Sequence, residues 1–159
     1  MTQPTLDRAG ERFGKATKAK LTNVAIDGEP EDQLRASLEQ LIAELAELCG
    51  LPASAVTAVA ETKLADLKTR PDDAISVHNA PAGFIEIKAP GKGGDPRHYT
   101  GHEAAQWEKL QPLPHLIYTD GNEWTRWRGG RLEGEVARVT GDVRTSGATL
   151  KLRRAKGRR

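Results

Sequence analysis

The segment from residue 30 to residue 50 is amphipathic, and a helix of this kind must bury its apolar side against another element. Pro30 stands where proline is favoured in a first helical turn, and Gly50 is a typical helix stop. The apolar residues recur at helical spacing, as Leu34, Leu38, Leu41, Ile42, Leu45 and Leu48. We therefore predict one helix with a single apolar face.

After this helix the periodicity changes to that of β-strands, with β-branched and alternating apolar residues. A loop rich in glycine and proline at 89–101 leads into a short predicted helix, HEAAQWEKL. The strands are predicted at 54–61, 73–78, 83–89, 115–120, 123–128 and 132–139. The resulting order is α-β-β-β-α-β with a C-terminal β-extension, which indicates an α/β domain with a mixed central sheet.

Length and composition limit the classes of protein that this chain can belong to. Its 159 residues suffice for one domain, and the single Cys49 excludes an internal disulfide framework and any multi-cysteine metal site. A metal would have to be held by oxygen or imidazole ligands. No apolar run approaches the roughly 20 residues that cross a bilayer, and the first residues are charged where a signal peptide would be apolar. We expect a cytoplasmic protein without membrane contact.

The net charge of +2 is unevenly distributed. Residues 1–20 carry +3, residues 21–149 carry −7 and residues 150–159 carry +6. Because the body is acidic, DNA binding would depend on individual lysines and arginines rather than on a broad basic face.

Charge and pattern together suggest three regions. We expect a flexible arm at 1–26, a folded domain at 27–148 and a disordered basic tail at 149–159.

Two carboxylates and a lysine converge at one end of the predicted hairpin. Asp72 stands at the entrance of one strand, and the strand period of two places Glu86 and Lys88 on one face of the next, with Ile85 and Ile87 facing the core. Two carboxylates, with the Ile87 carbonyl as a third ligand, suit Mg²⁺ and the hydrolysis of a phosphodiester. The alternative is an ordinary surface hairpin with solvated charges, because so short a motif has many false matches.

The longer sequence around this hairpin resembles the nuclease domain of the PD-(D/E)XK superfamily, in the form found at the N-terminus of bacterial fused restriction–modification enzymes. Pro71-Asp72 matches the "PD", Glu86-Ile87-Lys88 matches the "(D/E)XK", and the blocks GFIEIKAPGKG and LIYTDGNEW are more specific still. The resemblance covers roughly residues 30 to 148. It implies a restriction-endonuclease-like fold and a Mg²⁺- or Mn²⁺-dependent endodeoxyribonuclease of a restriction or phage-defence system.

Carried over to single positions, the resemblance implies metal ligation by Asp72 and Glu86 and a catalytic role for Lys88. Gln106 resembles a glutamine that many members place near the metal or the scissile phosphate, although a solvent-facing glutamine is nearly as good an interpretation. Some members also use an acidic residue of the first helix, for which Glu39 is the candidate, although an ordinary solvated face is favoured there.

Two further acidic residues, Glu61 and Asp73, lie close to the predicted hairpin in the sequence. Glu61, just before the hairpin, is a second candidate for the site. Asp73 departs from the family pattern, and its charge on the other strand face needs cover from Arg70 or from the loop.

DNA is the predicted partner. Lys92 and Arg97, in the glycine-rich loop, are candidates for backbone contacts, with a merely mobile loop as the alternative. In the resembled enzymes an N6-adenine DNA methylase follows the nuclease, but this sequence has no adenine-methylase motif. A separate methylase or specificity subunit and a homodimer are compatible with the sequence. A non-cleaving docking module, or a truncated remnant of a fused methyltransferase, remains the alternative function.

Overall fold

The described part of the chain folds into three α-helices and one mixed sheet of seven strands. The computed structural model describes residues 5–23, 28–60 and 70–153. The helices are α1 (Leu6–Leu21), α2 (Pro30–Leu48) and α3 (Gly101–Leu110). The strands are β1 (Val56–Ala60), β2 (Asp73–Val77), β3 (Ala80–Ile87), β4 (Leu116–Thr119), β5 (Glu123–Arg128), β6 (Arg131–Leu132) and β7 (Ala137–Arg138).

The sheet has the order β1-β2-β3-β4-β5-β6, and β7 pairs with β5. Strands β1, β2 and β3 are antiparallel neighbours, whereas β4 runs parallel to β3 and is reached through α3. This topology confirms the predicted α-β-β-β-α-β order. The predicted strand at 132–139 is wrong in detail, because two short strands, β6 and β7, each pair with β5.

Helix α2 covers one face of the sheet, as its apolar pattern predicts. Leu34, Leu38 and Leu41 are buried together with Ile85 and Ile87 of β3, and we call this apolar group the α2 cluster. The other face carries a second cluster under α3, formed by Leu110, Leu116, Tyr118 and Trp127. The central strand β3 therefore lies between two apolar layers, and its C-terminal end projects the polar residues Glu86 and Lys88 from a rigid support.

The predicted flexible arm at 1–26 is wrong for the residues that form α1. Ala9 and Phe13 are buried in the α2 cluster, and Thr5 caps the helix by accepting the Arg8 N–H at 3.2 Å. Gly14 lies so close to the turn at Gly147–Thr149 that there is no room for a side chain. Residues 1–4 and 24–26 lie outside the described residues.

The predicted disordered tail is also wrong at its first residues. Leu150 is buried in the α2 cluster, Leu152 packs against it, and Lys151 forms a β-bridge with Thr140. Residues 154–159 lie outside the described part. Within the described segments, no helix has the length and apolarity needed to cross a bilayer.

Candidate active site

The structure brings Asp72, Glu86 and Lys88 together at the end of the β2–β3 hairpin. Asp73 pairs with Ile85 in the strand register, so the preceding residue, Asp72, lies beside Glu86. The Asp72 N–H donates to Glu86 Oε2 at 3.2 Å. The Lys88 ammonium donates to Glu86 Oε1 at 3.3 Å. Through the Asp72 backbone and the Glu86 carboxylate, the three residues form one connected set at the rim of the sheet.

The Asp72 carboxylate is fixed in place by the neighbouring strand. The Ile87 N–H donates to its Oδ2 atom at 2.7 Å. Because Ile87 belongs to the buried strand β3, this bond ties the carboxylate to the most rigid part of the fold. The other oxygen, Oδ1, accepts a hydrogen bond from Arg35 Nη2 at 2.9 Å.

Lys88 is buried and its ammonium is oriented from two sides. Besides Glu86, it donates to Gln106 Oε1 of α3 at 2.7 Å, and it lies 6.0 Å from the centre of the Tyr99 ring. The crossover through α3 therefore places Gln106 in the site rather than in solvent. Only 4% of Lys88 is exposed. The ammonium is therefore fixed beside the Glu86 carboxylate.

Burial dominates the electrostatics of Glu86. It raises the pKa of this carboxyl to about 7, with a further increase from the neighbouring Asp72 charge and an opposing decrease from Lys88. A cation placed between Asp72 and Glu86 would relieve this repulsion. The pair of oxygen ligands therefore fits a hard divalent ion such as Mg²⁺, which is commonly held by one or two carboxylates together with water and substrate phosphate. Among the described residues, no group of three or more His, Cys, Asp and Glu side chains is arranged to hold a metal.

We expect the metal-free protein to lose stability as the pH rises from 4.5 to about 7, which are the ordinary and the folded-state pKa of Glu86. In this window the folded protein keeps a proton that the unfolded chain has released, so the free energy of unfolding decreases by up to about 3 kcal/mol. Below the window both states are protonated, and above it both are ionised. Urea unfolding in EDTA across this range measures the effect.

Glu86→Gln should remove the dependence between about pH 6 and 7 and reduce it below pH 6, whereas Glu44→Gln, on α2 away from the site, should change neither. An unchanged slope in the first variant would contradict the assignment. Asp73 should add a second dependence of similar size at lower pH, between 3.8 and about 6, because burial and the neighbouring Glu39 raise its pKa to about 6.

Glu31, in the first turn of α2, is a site residue that the sequence analysis missed. Its carboxylate lies near the Ala89 N–H and interacts electrostatically with Lys88 and Asp72. Burial raises the pKa of Glu31, and Lys88 opposes the increase. The only sequence signal was its place in an acidic first turn, which equally well describes a helix N-terminus.

The predicted helix acid, Glu39, lies two helical turns away and interacts with Asp73 instead. Asp73 is fully buried, and its cover comes from α2 rather than from Arg70, which is exposed. The nearest cation is Arg35, whose Nε lies 3.9 Å from Asp73 Oδ1. Glu61 lies outside the described residues.

A buried carboxylate organises the glycine-rich loop. Asp120, 2% exposed, accepts the N–H groups of Gly91 and Gly93 through Oδ2 at 3.1 and 2.9 Å. Its Oδ1 accepts those of Asn122 and Glu123 at 2.9 and 2.8 Å. The loop that follows Lys88 is therefore anchored to the end of β4, which supports a defined path rather than a mobile one.

Both predicted DNA-contact residues of this loop are paired with carboxylates of the same chain. Lys92 donates to Glu103 of α3. Arg97 forms a bidentate pair with Asp95, with its Nη2 2.7 Å from Oδ2, and its guanidinium lies 5.3 Å from the centre of the Trp127 ring. Both side chains are about half exposed, at 45% and 51%. Phosphate contacts by either residue would compete with these pairs.

The comparisons with known proteins support the fold. No family model matches the chain, and no curated protein matches its sequence. Among solved structures, a chain of the cryo-EM structure of a DrdV–DNA complex superposes with a TM-score of 0.59 and 16% identity. The match covers 89% of this chain and 13% of that one. With the mixed sheet and the helix order, this likeness shows a mixed α/β core that is consistent with the predicted restriction-endonuclease-like fold.

Proposed function

We propose that this chain is a Mg²⁺-dependent endonuclease that hydrolyses phosphodiester bonds in DNA as part of a restriction or phage-defence system. The observation that carries the proposal is the connected set of Asp72, Glu86, Lys88 and Gln106. An apolar core could be built without placing two carboxylates and an ammonium side by side at low exposure, since burying charges is costly. Charges buried at such a free-energy cost are typical of a site that binds and converts a charged ligand.

Asp72 and Glu86 would hold the ion. When bound there, a divalent cation polarises the phosphate and lowers the pKa of an attacking water, so that hydrolysis proceeds near neutral pH. Mn²⁺ has the same preference for oxygen ligands.

The chain's own residues would position and stabilise the reacting groups. Lys88 presents a buried ammonium beside the carboxylates, where it can donate to a phosphate oxygen as negative charge develops, or orient the attacking water. Gln106 accepts one hydrogen of this ammonium and so fixes its direction. Burial by the sheet strengthens these interactions because little water competes for the ammonium.

DNA is the proposed substrate for two reasons. The structural neighbour was determined as a complex with DNA, and a phosphodiester is the ester for which a carboxylate pair with a lysine is suited. The chain spans only 13% of that neighbour, so a methylase or specificity subunit and a homodimer remain partners to be tested. Lys92 and Arg97 would contact the DNA backbone only after their ion pairs with Glu103 and Asp95 are broken.

Cleavage of supercoiled plasmid DNA tests the proposal. The protein should nick or linearise the plasmid in Mg²⁺ or Mn²⁺ and not in EDTA. Saturating Mg²⁺ should also raise the free energy of unfolding, by about 2.7 kcal/mol at one hundred times the dissociation constant. Asp72→Asn and Glu86→Gln should lose both effects.

The matched control is Glu44→Gln, which changes a carboxylate that pairs with Arg12 away from the site. It should behave as the wild type in both measurements. Cleavage without added metal, or equal cleavage by all four proteins, would exclude this function.

A second candidate function, a docking module that binds DNA without cutting it, is favoured by one contact. Arg35 occupies Asp72 Oδ1 at 2.9 Å, an oxygen that a metal ligand must offer. Such a module would bind DNA in EDTA and show no stabilisation by Mg²⁺, which separates it from the nuclease.

A further inference from the structure

Arg35 of α2 reaches across to the carboxylates that begin β2. Its Nη2 lies 2.9 Å from Asp72 Oδ1, and its Nε lies 3.9 Å from Asp73 Oδ1. About a quarter of the side chain is exposed, at 23%. Three acidic groups act on this guanidinium, and they are Asp32 of its own helix with Asp72 and Asp73.

Asp72 does not depend on Arg35 for its position. Its Oδ2 atom is held by the Ile87 N–H at 2.7 Å, and its own N–H donates to Glu86 at 3.2 Å. Pro71 precedes it and restricts the backbone. Removing the guanidinium would leave the carboxylate in place and free its Oδ1 atom.

The same side chain has unmet hydrogen-bonding capacity toward Asp73. Within the described part of the chain, neither Asp73 carboxylate oxygen nor Arg35 Nε has a hydrogen-bond partner, although all three atoms are buried. Unpaired buried polar atoms are costly, and these donors and acceptors face each other at 3.9 Å. A small shift of the guanidinium away from Asp72 would pair Arg35 Nε with Asp73 Oδ1.

We propose that Arg35 is an internal cation that competes with the divalent ion for Asp72, and that Asp73 receives its guanidinium when the ion binds. Arg35 thereby sets the metal affinity of the site. This inference rests on the proposed function, since it requires Asp72 to be a metal ligand. It also accounts for Asp73, the acidic residue that departs from the family pattern.

Calorimetric titration of the full chain with Mg²⁺, together with thermal unfolding, tests the inference without relying on activity. Removing one positive charge about 5 Å from a divalent ion should tighten its binding about tenfold, even at the high dielectric constant of a solvated site. Arg35→Met and Arg35→Gln should therefore both bind Mg²⁺ about tenfold more tightly. Both should unfold more easily in EDTA and gain more from Mg²⁺ than the wild type. Arg35→Lys keeps the charge and should bind more weakly than either.

The control is Arg12→Met, which removes an arginine paired with Glu44 at 3.4 Å, away from the site. It should leave the metal affinity unchanged. A double-mutant cycle adds a second criterion: Asp73→Asn should weaken metal binding when Arg35 is present and have less effect in the Arg35→Met background.

The outcomes separate this inference from the proposed function. Equal or weaker Mg²⁺ binding by both neutral Arg35 variants, with binding retained by the wild type, would overturn the role of Arg35 alone. Absence of binding in every protein would overturn both. Mg²⁺ binding by the neutral variants but not by the wild type would support the competition. It would identify Arg35 as the reason why the wild type does not bind the ion.

Discussion

Lys88→Met should lower the rate of Mg²⁺-dependent DNA cleavage by about 10²- to 10³-fold, the usual cost of removing one donor that stabilises developing charge. Methionine keeps most of the length and apolar volume of lysine but cannot donate to the substrate. In the structure the buried ammonium lies between Glu86 and Gln106, 3.3 and 2.7 Å from their side-chain oxygens. Single-turnover cleavage of a labelled duplex at saturating metal isolates this effect from DNA binding.

Metal binding distinguishes a catalytic role of Lys88 from a structural one. Without the ammonium the carboxylate pair has a more negative field, so Mg²⁺ should bind the variant at least as tightly as the wild type. Lys15→Met is the control, since Lys15 is exposed on α1 and pairs with Glu11 of the same helix. Unchanged cleavage by Lys88→Met, or a loss of Mg²⁺ binding that parallels the loss of cleavage, would remove Lys88 from the proposed chemistry.

The core of the candidate site follows from the sequence because it depends on short-range geometry. The strand period of two fixes the shared face of Glu86 and Lys88, and a hairpin necessarily brings Asp72 back beside them. The fold class follows in the same way from the change of periodicity after α2. Gln106 required the family resemblance, since its contact with Lys88 depends on the path of the crossover through α3.

The rest of the site depends on distances that periodicity does not fix. Glu31 and Glu39 lie on the same helix, and only its rotation and height over the sheet decide which of them meets Lys88 and which meets Asp73. The contacts of Arg35 with Asp72 and Asp73 depend on the same rotation and height of α2. Asp120 accepts four backbone N–H groups from two loops, a role that has no local sequence signal.

Helix α1 was missed for a different physical reason. Its apolar residues are sparse, because it docks through close backbone approach at Gly10 and Gly14 rather than through a broad apolar stripe. Glycine lowers helix propensity, so the pattern is typical of a flexible segment. The packing partner, the turn at Gly147–Thr149, is over 120 residues away in the sequence and lies in the predicted domain's last residues.

Gly14→Ala should destabilise the protein by about 2–3 kcal/mol, the range for forcing an extra methyl group into a packed contact. A Cβ atom at this position would lie 1.9 Å from the Gly147 carbonyl oxygen and 2.7 Å from Leu150 Cβ. The helix would have to move off the turn and uncover Phe13. If residues 1–26 were a free arm, the same substitution would leave the stability of the folded domain unchanged, so urea unfolding decides between the two arrangements.

The reverse exchange supplies the matched control. Ala19→Gly, on the exposed face of α1, should cost about 1 kcal/mol through helix propensity alone. Propensity predicts opposite signs for the two variants, with Gly14→Ala stabilising the helix. Close packing of α1 predicts instead that both destabilise, and that Gly14→Ala does so more strongly. A stabilising Gly14→Ala would show that α1 is not docked on the turn, and the N-terminal helix would then have to be regarded as independent of the sheet and α2.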